Sequence, residues 1–405
     1  MDGDVLRNPA TATQAFAAGL QHGRLAKLRA QLRHFDCAAG LFYDPINVRY
    51  ATDVPNMQVY SLHNPCRYVF VALEGPVILF DFRGCEHLSE RSVVIDEVRP
   101  ARSWYHFNSG PHAERHAGLW AREIDDLMRR HAGGNRRIAI DKLDPRGADK
   151  LRSLGYHIVE GQEVTHLARL HKTDEEILLL RDAVSVCQHG MRRMHAASRP
   201  GMSEQAIWSI LHQVNIEHGG EWIETRLLTS GPRTNPWYQE CSARVVEAGD
   251  MISMDSDLVG PQGYSADISR SWVVGDARPA DEQRRLYQLA HEQVTRNCEL
   301  FRAGRGYRDI ARDAWRLPSP YLAFEQPAIA HGIGLCNEFP LVMHAPYFEE
   351  EGFDGEVEAG MVFCVESYVG EPGGREGVKL EQQILVTDEG PELLSDLEFE
   401  PDLLD

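Results

Sequence analysis

No stretch of this sequence approaches the roughly 20 apolar residues that a membrane-crossing helix needs. The opening MDGDVLRNPATATQAFAAG has neither a basic start nor an apolar core, so no secretory signal is expected there. Cysteine is sparse and scattered: eight residues and no C-x-x-C pair. That excludes a thiolate zinc motif and argues against a disulfide framework. Cys187 and Cys364 sit in apolar surroundings and read as reduced, buried thiols of a cytoplasmic protein. Basic residues are outnumbered, 42 Lys and Arg against 61 Asp and Glu, for a net charge of −19. Such a balance argues against nucleic acid and against an anionic membrane as partner, and leaves a small molecule as the expected ligand. Repeats and low-complexity segments are also lacking.

The chain itself has 405 residues, 43% of them hydrophobic, enough for about two domains with ample core. Its chemistry concentrates in residues 253–272, SMDSDLVGPQGYSADISRSW. Two strand-like runs flank a Gly-Pro-Gln-Gly-Tyr turn, a hairpin signal. Period-2 alternation is expected to place Asp255 and Asp257 on one face of the first strand, with Asp267 returning roughly opposite. Three converging carboxylates repel one another unless a cation joins them. Further on, His331 lies in AIAHGIGLCNEFP, Glu366 in MVFCVES and Glu381 in GVKLEQQILV. A polar ligand type set in each apolar strand is costly unless paired or metal-bound. Oxygen donors with one imidazole suit two hard or borderline divalent ions.

The order Asp, Asp, His, Glu, Glu over residues 165–395 resembles the pita-bread metalloenzymes, among them methionine aminopeptidase, prolidase, aminopeptidase P and creatinase. The resemblance implies an α/β (α+β) chain in two parts. A creatinase-like N-terminal domain would span 1–165 and a pita-bread catalytic domain 166–405. It also implies a homodimer. The pattern agrees with the runs AAGLFY, YVFVAL, VILFDF and RRIAID alternating with helices such as HAGLWAREIDDLMRRHA. Residues 1–20 read as loosely ordered, with a first helix over 21–34. Near the junction, Thr173 and Glu176 form a capping box ahead of a helix running to about Ser198. Further helices are expected over 203–220, 281–302 and about 306–315. His195, His212 and His218 read as surface or helix-end residues.

Two departures from the peptidases stand out. Their substrate-holding histidine is replaced in NPWYQE by Trp237 or Tyr238, and a second histidine, after the metal-binding one, by Asn337. The extra aspartate of the D-x-D pair, the NPW segment and the HGIGLCNE run instead resemble the peptidase-like dimethylsulfoniopropionate lyases. That branch implies six metal ligands, Asp255, Asp257, Asp267, His331, Glu366 and Glu381, holding two divalent ions. Iron is favoured, with manganese, cobalt or zinc as alternatives. The lyases place an aspartate, their proposed base, where this chain has Asn337. An amide cannot take a proton near neutral pH, so Tyr238, Tyr264 or a metal-bound hydroxide must serve, or the reaction differs. A sulfonium or quaternary ammonium head group would be held on aromatic faces, for which Trp237, Tyr238 and Trp222 are the candidates, ahead of Trp104 and Tyr105. The alternatives are an Xaa-Pro dipeptidase or aminopeptidase, with Glu366 shuttling the proton, and a catalytically silent binding module.

Overall fold

A computed structural model of the chain describes residues 8–405, and the first seven lie outside the described residues. The chain divides into two compact units. One spans Ala12–Arg169; the other comprises Leu170–Asp405 together with the residues up to Thr11.

In the unit Ala12–Arg169, the strands are β1 (Ala39–Phe42), β2 (Tyr68–Ala72), β3 (Val77–Asp81), β4 (Glu97–Pro100), β5 (Arg137–Ile140) and β6 (His157–Glu160). They form one mixed sheet in the order β4-β3-β2-β1-β5-β6. The four apolar runs named above supply its centre. β4 and β6 were not anticipated, because both are edge strands whose residues are only partly buried, so no apolar run marks them. The helix Ala113–His131 buries Trp120, Ile124 and Leu127 against Leu41, Phe70 and Ile138 of the sheet. The first helix starts at Gln14, within the stretch expected to be loose. Its Thr13 hydroxyl accepts a hydrogen bond from the Phe16 amide at 3.1 Å, an N-cap that fixes the earlier start.

The larger unit opens on the long helix Asp174–Ala197. Its capping box is present: the Glu176 amide donates to the Thr173 hydroxyl at 3.3 Å, and the Thr173 amide donates to Glu176 Oε2 at 2.9 Å. Glu176 Oε1 accepts from the Tyr264 hydroxyl at 2.9 Å, tying the helix start to the turn of the aspartate segment. Further helices cover Glu204–Glu217, Asp281–Cys298 and Tyr307–Asp313, as the caps and periodicity indicate.

The strands of this unit are β7 (Trp222–Ile223), β8 (Leu228–Ser230), β9 (Met251–Asp255), β10 (Leu258–Val259), β11 (Ser265–Ala266) and β12 (Ser269–Val273), then β13 (Ala328–Ile333), β14 (Asn337–Met343), β15 (Val362–Gly370), β16 (Gly377–Thr387) and β17 (Gly390–Leu393). They form two three-stranded sheets, β11-β10-β7 and β12-β9-β8, and one of five strands, β14-β13-β15-β16-β17. Alternation along β15 and β16 decides where the chemistry lies. Phe363, Val365, Val369, Val378, Leu380 and Ile384 join one core cluster with the helix Asp281–Cys298. Cys364, Glu366, Lys379 and Glu381 therefore project from the other face. There the β9–β12 hairpin crosses β16, with Ser253 Oγ donating to the Gly377 carbonyl and Ser271 Oγ to that of Lys379.

One expectation about the hairpin needs correction. β9 ends at Asp255, and Ser269, not Asp267, pairs with Asp255. Asp257 has φ of 36°, so the strand breaks between the two aspartates rather than carrying both on one face. Asp257 reaches the same place as Asp255 by a turn in the backbone.

Thr173→Ala removes the cap of the helix on which the turn is tied. It is expected to cost about 1 kcal/mol in denaturant unfolding, with Thr173→Ser near wild type; an unchanged midpoint for the alanine variant would deny the cap this role.

Candidate metal centre

One strand end, two connecting segments and three strand interiors deliver the polar groups. Asp255 closes β9, Asp257 follows in the kink, Asp267 lies between β11 and β12, and His331 sits on β13. Glu366 on β15 and Glu381 on β16 are direct cross-strand partners. All six line one cavity of about 400 Å³, with Thr225, Leu227, Tyr238, Glu240, Gln326 and Asn337.

Five of the six, joined by Cys364, fall into two groups of donor atoms that share Asp267; Glu366 belongs to neither. One is Asp255, Asp257 and Asp267; the other is Asp267, His331, Cys364 and Glu381; within each, the atoms lie within 4.8 Å of one another. His331 Nε2 is 3.7 Å from Asp267 Oδ2 and 3.6 Å from Glu381 Oε1. Its Nδ1 lies 3.0 Å from the Gly332 carbonyl. A carbonyl can only accept, so Nδ1 carries a proton, and Nε2, which faces the carboxylates, is the nitrogen placed to bind a metal. Glu381 Oε1 is buried with no hydrogen-bond donor. A buried carboxylate oxygen left open beside an imidazole nitrogen fits a cation between them.

The electrostatics point the same way. Burial, then the neighbouring charges of Asp257 and Glu381, pushes Asp267 well above the usual carboxylate range. Burial and the charge of Asp255 raise Asp257 to about 6. Burial lifts Glu381 to about 7 even though Lys379 opposes the rise. Burial also disfavours the charge on Asp255, but Lys379 and the hydrogen bonds it accepts outweigh burial and hold it at about 2. Burial lowers His331, yet Glu381 and Glu366 raise it on balance to about 9. Without a cation the carboxylates cannot all be ionised together; divalent charge removes that conflict.

Lys379 was not singled out from the sequence. It is wholly buried, with Nζ 3.1 Å from Asp255 Oδ2, 3.0 Å from Glu366 Oε2 and 2.8 Å from Glu381 Oε2. The signal was available: a lysine two residues before Glu381 in a buried strand shares its face. Ser269 Oγ lies 2.7 Å from Asp255 Oδ1 and 2.8 Å from Glu381 Oε2, and Thr225 donates to Asp257 Oδ2 at 2.6 Å. Cys364, read from the sequence as an inert buried thiol, has its sulfur in the second donor group. Register explains it, since Cys364 pairs with His331.

The remaining candidates separate. Tyr238 and Asn337 line the cavity. Tyr238 is 68% exposed and holds φ of 68°, a left-handed conformation that costs a bulky residue energy and keeps its ring at the mouth. Its hydroxyl accepts from Gln326 Nε2 at 3.2 Å. Trp222, Trp237 and Tyr264 are not among the cavity's lining residues. Trp222 on β7 pairs with Val259 of β10, Trp237 is buried against Tyr368 with ring centres 5.7 Å apart, and the Tyr264 hydroxyl is directed to Glu176. The left-handed backbone at Tyr238 turns its ring out where its neighbour Trp237 packs inward.

The model of metallopeptidase family M24 matches residues 179–388, more than half of the chain. The chain belongs to that family. Its M24 relatives include dimethylsulfoniopropionate lyase DddP of Roseovarius nubinhibens, 39% identical over 374 residues, 91% of this chain and 84% of that protein. The protein of the same name from Roseobacter denitrificans is 38% identical over 371 residues, 90% of this chain and 83% of its own length. Among solved structures, an Xaa-Pro dipeptidase from Bacillus anthracis superposes with a TM-score of 0.75 at 21% identity, covering 94% of this chain and 99% of its own. The M24 chain thus has the pita-bread fold and is a metal-dependent enzyme, a lyase or a hydrolase. No helix among the described residues is long and apolar enough to cross a membrane.

Asp267→Ala removes the corner common to both donor groups, and His331→Ala removes the one imidazole. Each is expected to weaken metal retention beyond the roughly 10–100-fold that loss of an outer-shell partner costs, with the far-UV circular dichroism unchanged. Full metal content after dialysis in either variant would exclude that residue as a ligand.

Proposed function

We propose that this chain eliminates dimethyl sulfide from dimethylsulfoniopropionate, leaving acrylate. The observation that carries the reading is the 39% identity to a dimethylsulfoniopropionate lyase across 91% of the chain. The cavity supports it, because neither Tyr238 nor Asn337 offers the imidazole that the peptidase branch uses at these positions.

In this reading Asp255, Asp257, Asp267, His331, Glu366 and Glu381 hold two divalent ions, iron by preference. Ions held there would supply Lewis-acid charge for the substrate carboxylate, which would acidify the neighbouring carbon. Asn337 cannot take that proton. Tyr238 is the base: its hydroxyl lines the cavity, and the hydrogen bond from Gln326 stabilises the oxygen once it is deprotonated. The carbon–hydrogen pair becomes the new double bond, and the carbon–sulfur pair leaves with dimethyl sulfide. The Tyr238 ring supplies a π face for the cationic sulfur; Glu240, on the same wall, is paired with Arg226. Tyr264 takes no part, since its hydroxyl is engaged elsewhere. A cytoplasmic homodimer belongs to the same reading.

Protein loaded anaerobically with iron or manganese should release dimethyl sulfide from dimethylsulfoniopropionate and leave an Ala-Pro dipeptide intact. Tyr238→Phe should lower kcat by about 10²–10⁴-fold, the usual contribution of a general base. Cleavage of the dipeptide alone would assign the chain to the hydrolases. Release only by Asn337→Asp would mean a lyase scaffold turned to another substrate.

A further inference from the structure

Lys379 sits where a metal centre ordinarily keeps only anions and neutral donors. Its ammonium is completely buried and meets three carboxylates, from Asp255, Glu366 and Glu381, within 3.1 Å. Ser269 Oγ, at 3.2 Å, completes its surroundings. An ammonium has three protons, and here three carboxylate oxygens stand around it. Each of the three acids thereby has one oxygen turned to the lysine. For Glu381 the other oxygen, Oε1, is the one left open toward His331.

The charges give the arrangement its meaning. Six carboxylates line this cavity; Glu240 is paired with Arg226, which leaves the five of Asp255, Asp257, Asp267, Glu366 and Glu381. Against one ammonium they leave a formal charge of −4, which two divalent ions balance. A buried site of this kind cannot carry a large unbalanced charge. We propose that Lys379 is the centre's permanent third cation, a positioning residue that neutralises one carboxylate and sets the rotation of three, so that the protein tolerates the acidic cluster before metal arrives and then accepts two divalent ions. The proposal rests on the metal assignment above but not on the identity of the substrate.

It can be tested without any assay of catalysis. Thermal midpoints are measured for wild type and Lys379→Met, each loaded with manganese and each stripped with chelator. Metal charge substitutes for the lysine, so the loss caused by Lys379→Met should be at least about twofold larger in the stripped protein than in the loaded one. In the stripped state, Asp255→Asn/Lys379→Met, which removes one charge of each sign, should recover part of that loss. Equal losses in both states would make Lys379 an ordinary packing residue and overturn the proposal. A double variant no more stable than the single one would do the same, as would failure of Lys379→Met to fold even when produced with metal. Metal content of the wild type, measured in the same preparations, separates this result from the metal assignment itself. A wild type that retains no divalent ion would sink that assignment, while the comparison of stripped variants still reports on Lys379.

Discussion

Burying like charge is the constraint on which the rest of this structure depends. Asp255, Asp267 and Glu381 are each less than a tenth exposed, and they face one another across one end of a sheet. In a low-dielectric interior such a group is tolerable only with compensating cations and a full set of donors. The neighbourhood is organised accordingly. Ser269 and Thr225 satisfy individual oxygens, Lys379 supplies one fixed positive charge, and His331 Nε2 is turned toward Asp267 and Glu381. What remains open is space for divalent metal.

Precision in this site comes from strands rather than loops. Glu366 and Glu381 are neighbours because β15 and β16 pair in that register, and a slip by one residue would send both into the apolar layer under the helix Asp281–Cys298. The same alternation brings Cys364 and Lys379 to the polar face. The metal-facing wall is therefore rigid, whereas the opposite wall is built from the turn-rich segment that carries Tyr238. Of the two positions at which the sequence departs from the peptidases, Tyr238 lies on this second wall and Asn337 begins β14.

Much of this was legible in the sequence. The five acids and the imidazole stood out because each is a polar residue in an apolar run, and the capping box at Thr173 marked the start of the long helix. The central strands of the first sheet were legible as apolar runs; its partly exposed edge strands carried no such mark. The backbone break at Asp257 was not legible, since alternation assumes a continuous strand and only a left-handed residue reveals the turn. Trp237 and Trp222 were judged by residue type, yet which way a side chain turns depends on packing, and Tyr368 and Val259 decide it. Lys379 was missed for the opposite reason: a lysine reads as solvent-facing unless its strand is known to be buried on both sides.

The central claim is that this acidic face is a two-ion centre. Anomalous diffraction from crystals of the manganese-loaded protein tests it most directly. The account predicts two peaks about 3.5–4 Å apart, both touching Asp267, with His331 Nε2 bound to one of them and Lys379 Nζ still among Asp255, Glu366 and Glu381. No peak, or peaks only at sites away from Asp267, would contradict it.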